Sequence, residues 1–324
     1  MAQGVRGRKI FFIINPKAGG GHARDWWQDI RPELDAAAYD YFWQFTENGR
    51  EEQQIREAII SGGAQAIVAV GGDGSLYHAI NGMVENDALL REDMLFVVAP
   101  IGSSCDFGRF FYDGRQKKAD FLRLLAEGEI RRIDLGRCFF PGNAQLPPRV
   151  KYFINSFDAG AGADACVEVN AGGGRLKKFW RGGRLAFLLA SLKVLMTFTY
   201  TEARIELPER IIKGEYIIIG IGNGKFAGGG MMLFPRAALD DGLLDLLLVP
   251  RKGRLEILRV FSRVYRGTIL GIQGIVYHQV KEAKISAARP LFVEMDGEVP
   301  GQTDVELRVL PAFLPILGFA PADS

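Results

Sequence analysis

Gly71-Gly72-Asp73-Gly74-Ser75 is the stretch of this 324-residue chain whose residue types most directly suggest chemistry. Three glycines in four residues remove the Cβ atoms that keep a ligand away from the backbone. The carboxylate between them suits a polyphosphate site, where it can meet a magnesium ion instead of the phosphate itself. The apolar run Ala66–Val70 leads in as a buried strand, and from Leu76 the pattern turns helical. A strand, a glycine turn and a helix N-terminus together make an anion cradle. Glycines also cluster in plain structural turns, and the motif alone does not separate the two readings.

Further acids stand at comparable places. Asp106 follows Gly102-Ser103-Ser104-Cys105, and Asp134 lies within the strand-like IDLG. With Asp73 they suggest three carboxylates near one rim, a set able to handle magnesium and phosphate. Later, Leu239-Asp240-Asp241-Gly242 reads as a turn, or as a loop whose carbonyls and one carboxylate converge on a hard cation. Met295-Asp296-Gly297-Glu298 reads as an Asp-Gly hairpin turn, or as a general base taking a proton from an attacking hydroxyl. The three histidines are scattered and form no ligand set, and no Ser/His/Asp arrangement stands out.

These residues need elements to position them. Lys9–Asn15, Tyr41–Phe45, Ala66–Val70, Leu95–Ala99 and Arg132–Cys138 read as strands with helical sequence between, including Arg50–Ile60. That alternation predicts βαβ units and a parallel sheet covered on both faces, with ligands at the carboxyl ends of the strands. Asn15, Thr46, Gly71 and Pro100–Ser103 all fall at such ends, which favours a functional glycine turn. After Phe139–Pro148 the runs alternate polar and apolar residues, as in Glu202–Leu207, and predict a β-rich second domain with one wet sheet face. Helical stretches at Lys177–Phe198 and Arg254–Ile269 interrupt it. The expected domains are 1–138, with 311–324 packing back on it, and 139–310.

Composition narrows the class. Forty basic against thirty-eight acidic residues, net +2, argues against a general nucleic-acid binder. Three cysteines without metal-ligand spacing fit a reduced, cytoplasmic setting. No signal peptide is read at the start, and Leu185–Tyr200, the longest apolar stretch, carries Lys193 and is roughly four residues short of the ~20 that span a bilayer. Basic and aromatic residues beside the apolar helices, Lys177–Arg181 and Arg254–Arg266, would suit peripheral contact with an anionic membrane surface, although an apolar helical stripe is more often core.

Taken in order, the motifs resemble the bacterial diacylglycerol-kinase-like lipid kinases, relatives of sphingosine and ceramide kinases. NPKAGGG at 15–21 is similar to that family's opening NPxSG turn, GGDGS at 71–75 to its GGDGT, and PIGSSCDFGR at 100–109 to its PxGTxNDFAR. GNGKFAGGGMMLFPRAALDDGLLDLLLV at 222–249 is the most extended match, and MDGE at 295–298 fits its late DGE. The resemblance implies an α/β nucleotide-binding domain of NAD-kinase and diacylglycerol-kinase type, a β-sandwich-like second domain, and an active site between them. It implies ATP contacts from Asn15, Pro16, Gly19, Thr46, Gly71, Gly72, Asp73, Gly74, Ser75, Gly102 and Ser103. Asp73 and Asp106 would hold or orient Mg2+, joined by Asp134, while Asp241 with the carbonyls of Ala238 and Leu243 would bind a structural Mg2+. Asp296 or Glu298 would be the catalytic base. The expected partner is a lipid substrate, with a homo-oligomer also compatible. Ala18, Ser75, Tyr77, His78 and Cys105 depart from the family pattern around the expected nucleotide site. Competing readings are an NAD-kinase-like enzyme on a soluble substrate and a non-catalytic nucleotide- or lipid-binding regulator.

Overall fold

Five apolar residues in a row have no polar face to offer water, so such strands belong inside a sheet covered on both sides. The computed structural model describes residues 4–102, 105–112, 118–142, 146–171, 194 and 197–318, and it divides into two compact units. The first comprises Met1–Ile133 with Ala312–Ser324, the second Asp134–Pro311.

In the first unit, β1 (Ile10–Ile14), α1 (His22–Ala36), β2 (Tyr41–Phe45), α2 (Glu51–Ile60), β3 (Ala66–Val70), α3 (Asp73–Met83), β4 (Leu95–Ala99) and α4 (Lys118–Glu127) alternate as expected. The strands form a parallel sheet in the order β2–β1–β3–β4. Their register aligns Ile14 with Phe45 and Val70, and Val70 with Ala99. The ladder runs one residue further, with the N–H groups of Asn15, Thr46 and Gly71 donating to Val70, Ile14 and Ala99. That places Asn15, Thr46, Gly71 and Pro100 along one rim. Apolar residues at helical spacing in α1, namely Ala23, Trp27, Ile30 and Leu34, are buried against one face of the sheet. The terminal apolar segment is tied down here: Ile316 pairs in parallel with Phe96, and Leu317 joins the core.

The second unit holds the rest of β5 (Glu129–Phe140), then β6 (Arg149–Phe153), β7 (Ser156–Gly160), α5 (Ala161–Ala171), β8 (Glu202–Leu207), β9 (Arg210–Gly222), β10 (Leu244–Pro250), α6 (Arg254–Val264), β11 (Val276–Val280), β12 (Glu282–Ala287), β13 (Phe292–Met295), β14 (Glu298–Gln302) and the start of β15 (Val305–Gly318). Its pairings are antiparallel. The long β9 is shared: its first half pairs with β8, its second with both β10 and β7. In β8, Ala203 and Ile205 are buried while Glu202 is exposed, the expected alternation. The Arg254–Ile269 helix is shorter than its sequence pattern suggests: α6 stops at Val264 and a separate 3-10 turn covers Ile269–Gly271. The expected Lys177–Phe198 helix lies outside the described residues except for Val194, Thr197 and Phe198. Among the described residues, no helix is long and apolar enough to cross a membrane.

Phe12 is fully buried, with its ring centroid 4.9 Å from Trp27, 5.7 Å from Tyr41 and 6.4 Å from Phe121. Phe12→Ala is therefore expected to lower stability by about 3–5 kcal/mol, read as a fall in the urea midpoint.

Candidate active site

The glycine turn is the junction of β3 and α3. Gly72 is the extended N-cap residue, and the N–H groups of Ser75 and Leu76 close the first turn onto its carbonyl. A Cβ at Gly71 would overlap the Ser75 hydroxyl, so glycine is required for Ser75 to fold back over the turn. Asp73 does more than wait for a cation. Its Oδ2 accepts the Asp106 N–H at 2.9 Å and its Oδ1 the Phe107 N–H at 3.2 Å. One carboxylate thereby ties the turn after β3 to the loop after β4. Asp106 is itself buried, and its Oδ1 meets the Arg109 Nε at 3.2 Å. Burial, with the Asp73 carboxylate beside it, holds the Cys105 thiol well above its ordinary range.

The neighbouring rim loops fit the same picture. Gly19, Gly20 and Gly21 all have positive φ (62°, 73° and 106°), where a side chain is strained. A Cβ built on Gly19 would stand 3.3 Å from the His22 Cβ and 3.9 Å from the Gly102 Cα, so the first and last glycine turns of the rim lie close together. Asn15 Oδ1 accepts the Lys17 N–H at 3.0 Å and shapes the start of its turn. Ser103 lies outside the described residues. The expectation that Tyr77 and His78 border the nucleotide site changes: Tyr77 is a core residue at 3% exposure, and His78 Nδ1 faces Glu52 of α2 at 3.6 Å.

In the second unit, Asp134 belongs to a loop clamp. Its N–H donates to the Leu239 carbonyl and its Oδ2 accepts the Gly242 N–H, both at 2.6 Å. Asp241 Oδ1 accepts the Leu243 N–H at 3.0 Å, and its Oδ2 accepts from Gln279 at 3.2 Å. Among the described residues no group of three or more His, Cys, Asp or Glu side chains could hold a metal ion. Asp73 and Asp106 belong to the first unit, whereas Asp134 belongs to the second, where its carboxylate holds the Gly242 amide. The 238–243 loop retains an exposed carboxylate at Asp241 beside main-chain carbonyls, a donor set of the oxygen-only kind that a hard cation takes.

The DGE motif is the turn between β13 and β14. Asp296 is 1% exposed, and its carboxylate accepts three main-chain N–H groups: Ile154 at 2.7 Å, Asn155 at 3.0 Å and Ser156 at 2.9 Å. Burial pushes its carboxyl up to about 7, and the three amides oppose that rise. Glu298 is half-buried at the start of β14, opposite Met295.

Two features had no motif to announce them. Asp158 caps α5, its Oδ2 accepting the Ala163 N–H at 2.8 Å, and burial pushes its carboxyl up to about 7 as well. A cavity of about 300 Å3 is lined by residues that include Asp164, Val167, Glu168, Phe198, Arg289 and Phe292. The cap could have been suspected from an acid just ahead of a helix start. The cavity could not, because its walls come from distant segments.

The diacylglycerol kinase catalytic domain matches residues 9–138, and the YegS C-terminal NAD kinase beta sandwich-like domain matches residues 158–318. A probable lipid kinase YegS-like protein of Stenotrophomonas maltophilia (strain K279a) is 30% identical over 284 residues, covering 84% of this chain and 87% of that one. The diacylglycerol kinase of Bacillus subtilis (strain 168) is 25% identical over 294 residues, covering 91% of each. Among solved structures, a diacylglycerol kinase from Bacillus anthracis (strain Sterne) superposes with a TM-score of 0.68 at 20% identity, covering 98% of each chain. Yeast NADH kinase complexed with NADH gives 0.53 at 7% identity, covering 98% of this chain and 84% of that one, a likeness of fold alone.

Asp158 and Asp296, the two carboxyls pushed up to about 7, set a pH dependence. Unfolded, both should titrate near 4. Folded, both stay protonated towards 7, so the folded state binds protons that the unfolded state has released. Their contribution to stability is full below about pH 4 and is lost as the pH rises through about 7. The urea midpoint of the second unit is expected to show this decline, with a shallower slope in Asp158→Asn.

Proposed function

The chain belongs to the bacterial diacylglycerol-kinase-like lipid kinase family, and from that premise we propose that it transfers the γ-phosphoryl group of ATP, with Mg2+, to a hydroxyl of diacylglycerol or a related lipid. The observation that carries this reading is the Gly71–Ser75 turn, held by Asp73 to the Asp106–Phe107 loop at the carboxyl ends of parallel strands. Such a turn offers main-chain N–H groups and a helix N-terminus to the phosphates. Gly20 and Gly21, in the turn after β1, have open space where a Cβ would stand, which would allow close approach of the nucleotide on the same rim. Asp73 and Asp106 are the residues that would hold or orient Mg2+, whose role when bound is to neutralise charge developing on the transferring group. Asp241, with the carbonyls of Ala238 and Leu243, would take a second, structural Mg2+.

In the reaction, the lipid hydroxyl oxygen forms a bond to the γ-phosphorus while the bond from that phosphorus to the β–γ bridging oxygen breaks. ADP departs and the hydroxyl proton passes to a carboxylate. Of the two candidates, Asp296 has its oxygens engaged by three amides, so Glu298 is the proposed base. The cavity bordered by Asp164, Arg289 and Phe292 offers polar groups for the acceptor's head and apolar surface for its chains. Acting on a bilayer lipid, the enzyme would work as a peripheral protein at the cytoplasmic face.

The reading is tested by incubating the purified protein with labelled ATP, Mg2+ and diacylglycerol, sphingoid and polyprenol lipids, beside NAD. Label on a lipid is the expected result; label on NAD with none on any lipid overturns the lipid assignment in favour of an NAD-kinase-like enzyme. Nucleotide binding without turnover would instead favour a regulator. Asp73→Ala is expected to retain the fold while lowering transfer by at least about a hundredfold. It should also lower stability by about 1–3 kcal/mol, because two amides lose their acceptor.

A further inference from the structure

Asp296 and Gly297 both occupy the left-handed region, with φ of 49° and 90°. For Asp296 that conformation is uncommon and persists only when its surroundings determine it. The surroundings can be followed group by group. The Asp296 carboxylate is met by the three amides of Ile154, Asn155 and Ser156, and its N–H donates to the Ser156 carbonyl. The Gly297 N–H donates to Glu294 Oε1. The Gly297 carbonyl accepts from the Cys166 thiol, with Sγ at 3.2 Å.

Cys166 is 8% exposed and lies on α5, the helix whose first turn Asp158 pins to β7. That same helix contributes Asp164, Val167 and Glu168 to the cavity, and β13, the strand leading into the turn, contributes Phe292. Two of the elements that line the cavity, α5 and the strand leading into the turn, are therefore joined by the thiol-to-carbonyl contact. We infer that Cys166 is a positioning residue: its thiol fixes the Gly297 carbonyl, and so the direction in which Glu298 leaves the turn, and it links that direction to α5 and the cavity wall. The kinetic consequence rests on the kinase reading above; the consequence for the turn does not.

The test compares the full-length wild type with Cys166→Ala and Cys166→Ser. Hydrogen exchange followed by mass spectrometry reads the turn directly. In Cys166→Ala, a peptide spanning 293–299 is expected to exchange about tenfold faster, while one spanning 216–222 in β9 is unchanged. Cys166→Ser, which keeps a donor, should restore the wild-type rate. In the transfer assay, Cys166→Ala should lower kcat about tenfold with an unchanged KM for ATP, and Cys166→Ser should recover it. Wild-type exchange at the turn in Cys166→Ala overturns the inference, as does a serine variant no better than alanine. Faster exchange throughout the second unit would overturn it too, since that marks general loosening. If the wild type transfers no phosphoryl group, the kinase reading fails, and the exchange rates still decide the role of Cys166.

Discussion

A carboxylate drawn away from water is stabilised by donors, and for four acids of this protein those donors are main-chain amides. Asp73 accepts the amides of Asp106 and Phe107, Asp134 that of Gly242, Asp158 that of Ala163, and Asp296 those of Ile154, Asn155 and Ser156. Each bond fixes a turn or a helix start.

In the first unit this arrangement depends on the parallel sheet. The shared register of β1, β2, β3 and β4 brings four loop starts to one rim, and Asp73 then joins two of those loops. A side chain at Gly71 would break the turn through Ser75, and one at Gly19 would be strained at its φ of 62°. In the second unit the antiparallel ladder aligns β7 with β13, so that Asp296 stands next to the amides it accepts. The two halves use opposite sheet types and reach the same device.

The alternation of apolar strands and amphipathic helices made the α/β unit legible, because strands buried on both faces leave an uninterrupted apolar signature. The polar–apolar alternation of Glu202–Leu207 did the same for the β-rich unit. Glycine turns were legible as turns, and their order along the chain carried the family. The side-chain partnerships were not. Nothing in the spacing says that Asp134 will reach Gly242, 108 positions away, or that Cys166 will reach Gly297, 131 positions away. Tyr77 and His78 misled for a similar reason. They sit two and three residues past Ser75, where the helix has already turned them from the rim, towards the core for Tyr77 and Glu52 for His78.

The proposed division of the DGE motif is into an acid that builds and an acid that reacts. It is tested most directly by measuring the urea midpoint and phosphoryl transfer on the same preparations of Asp296→Ala and Glu298→Gln. Glu298→Gln is expected to keep the wild-type midpoint and to lose at least about a hundredfold in kcat. Asp296→Ala, which strips three buried amides of their acceptor, should lose at least about 3 kcal/mol of stability. A fully active Glu298→Gln beside a stably folded, inactive Asp296→Ala would contradict it.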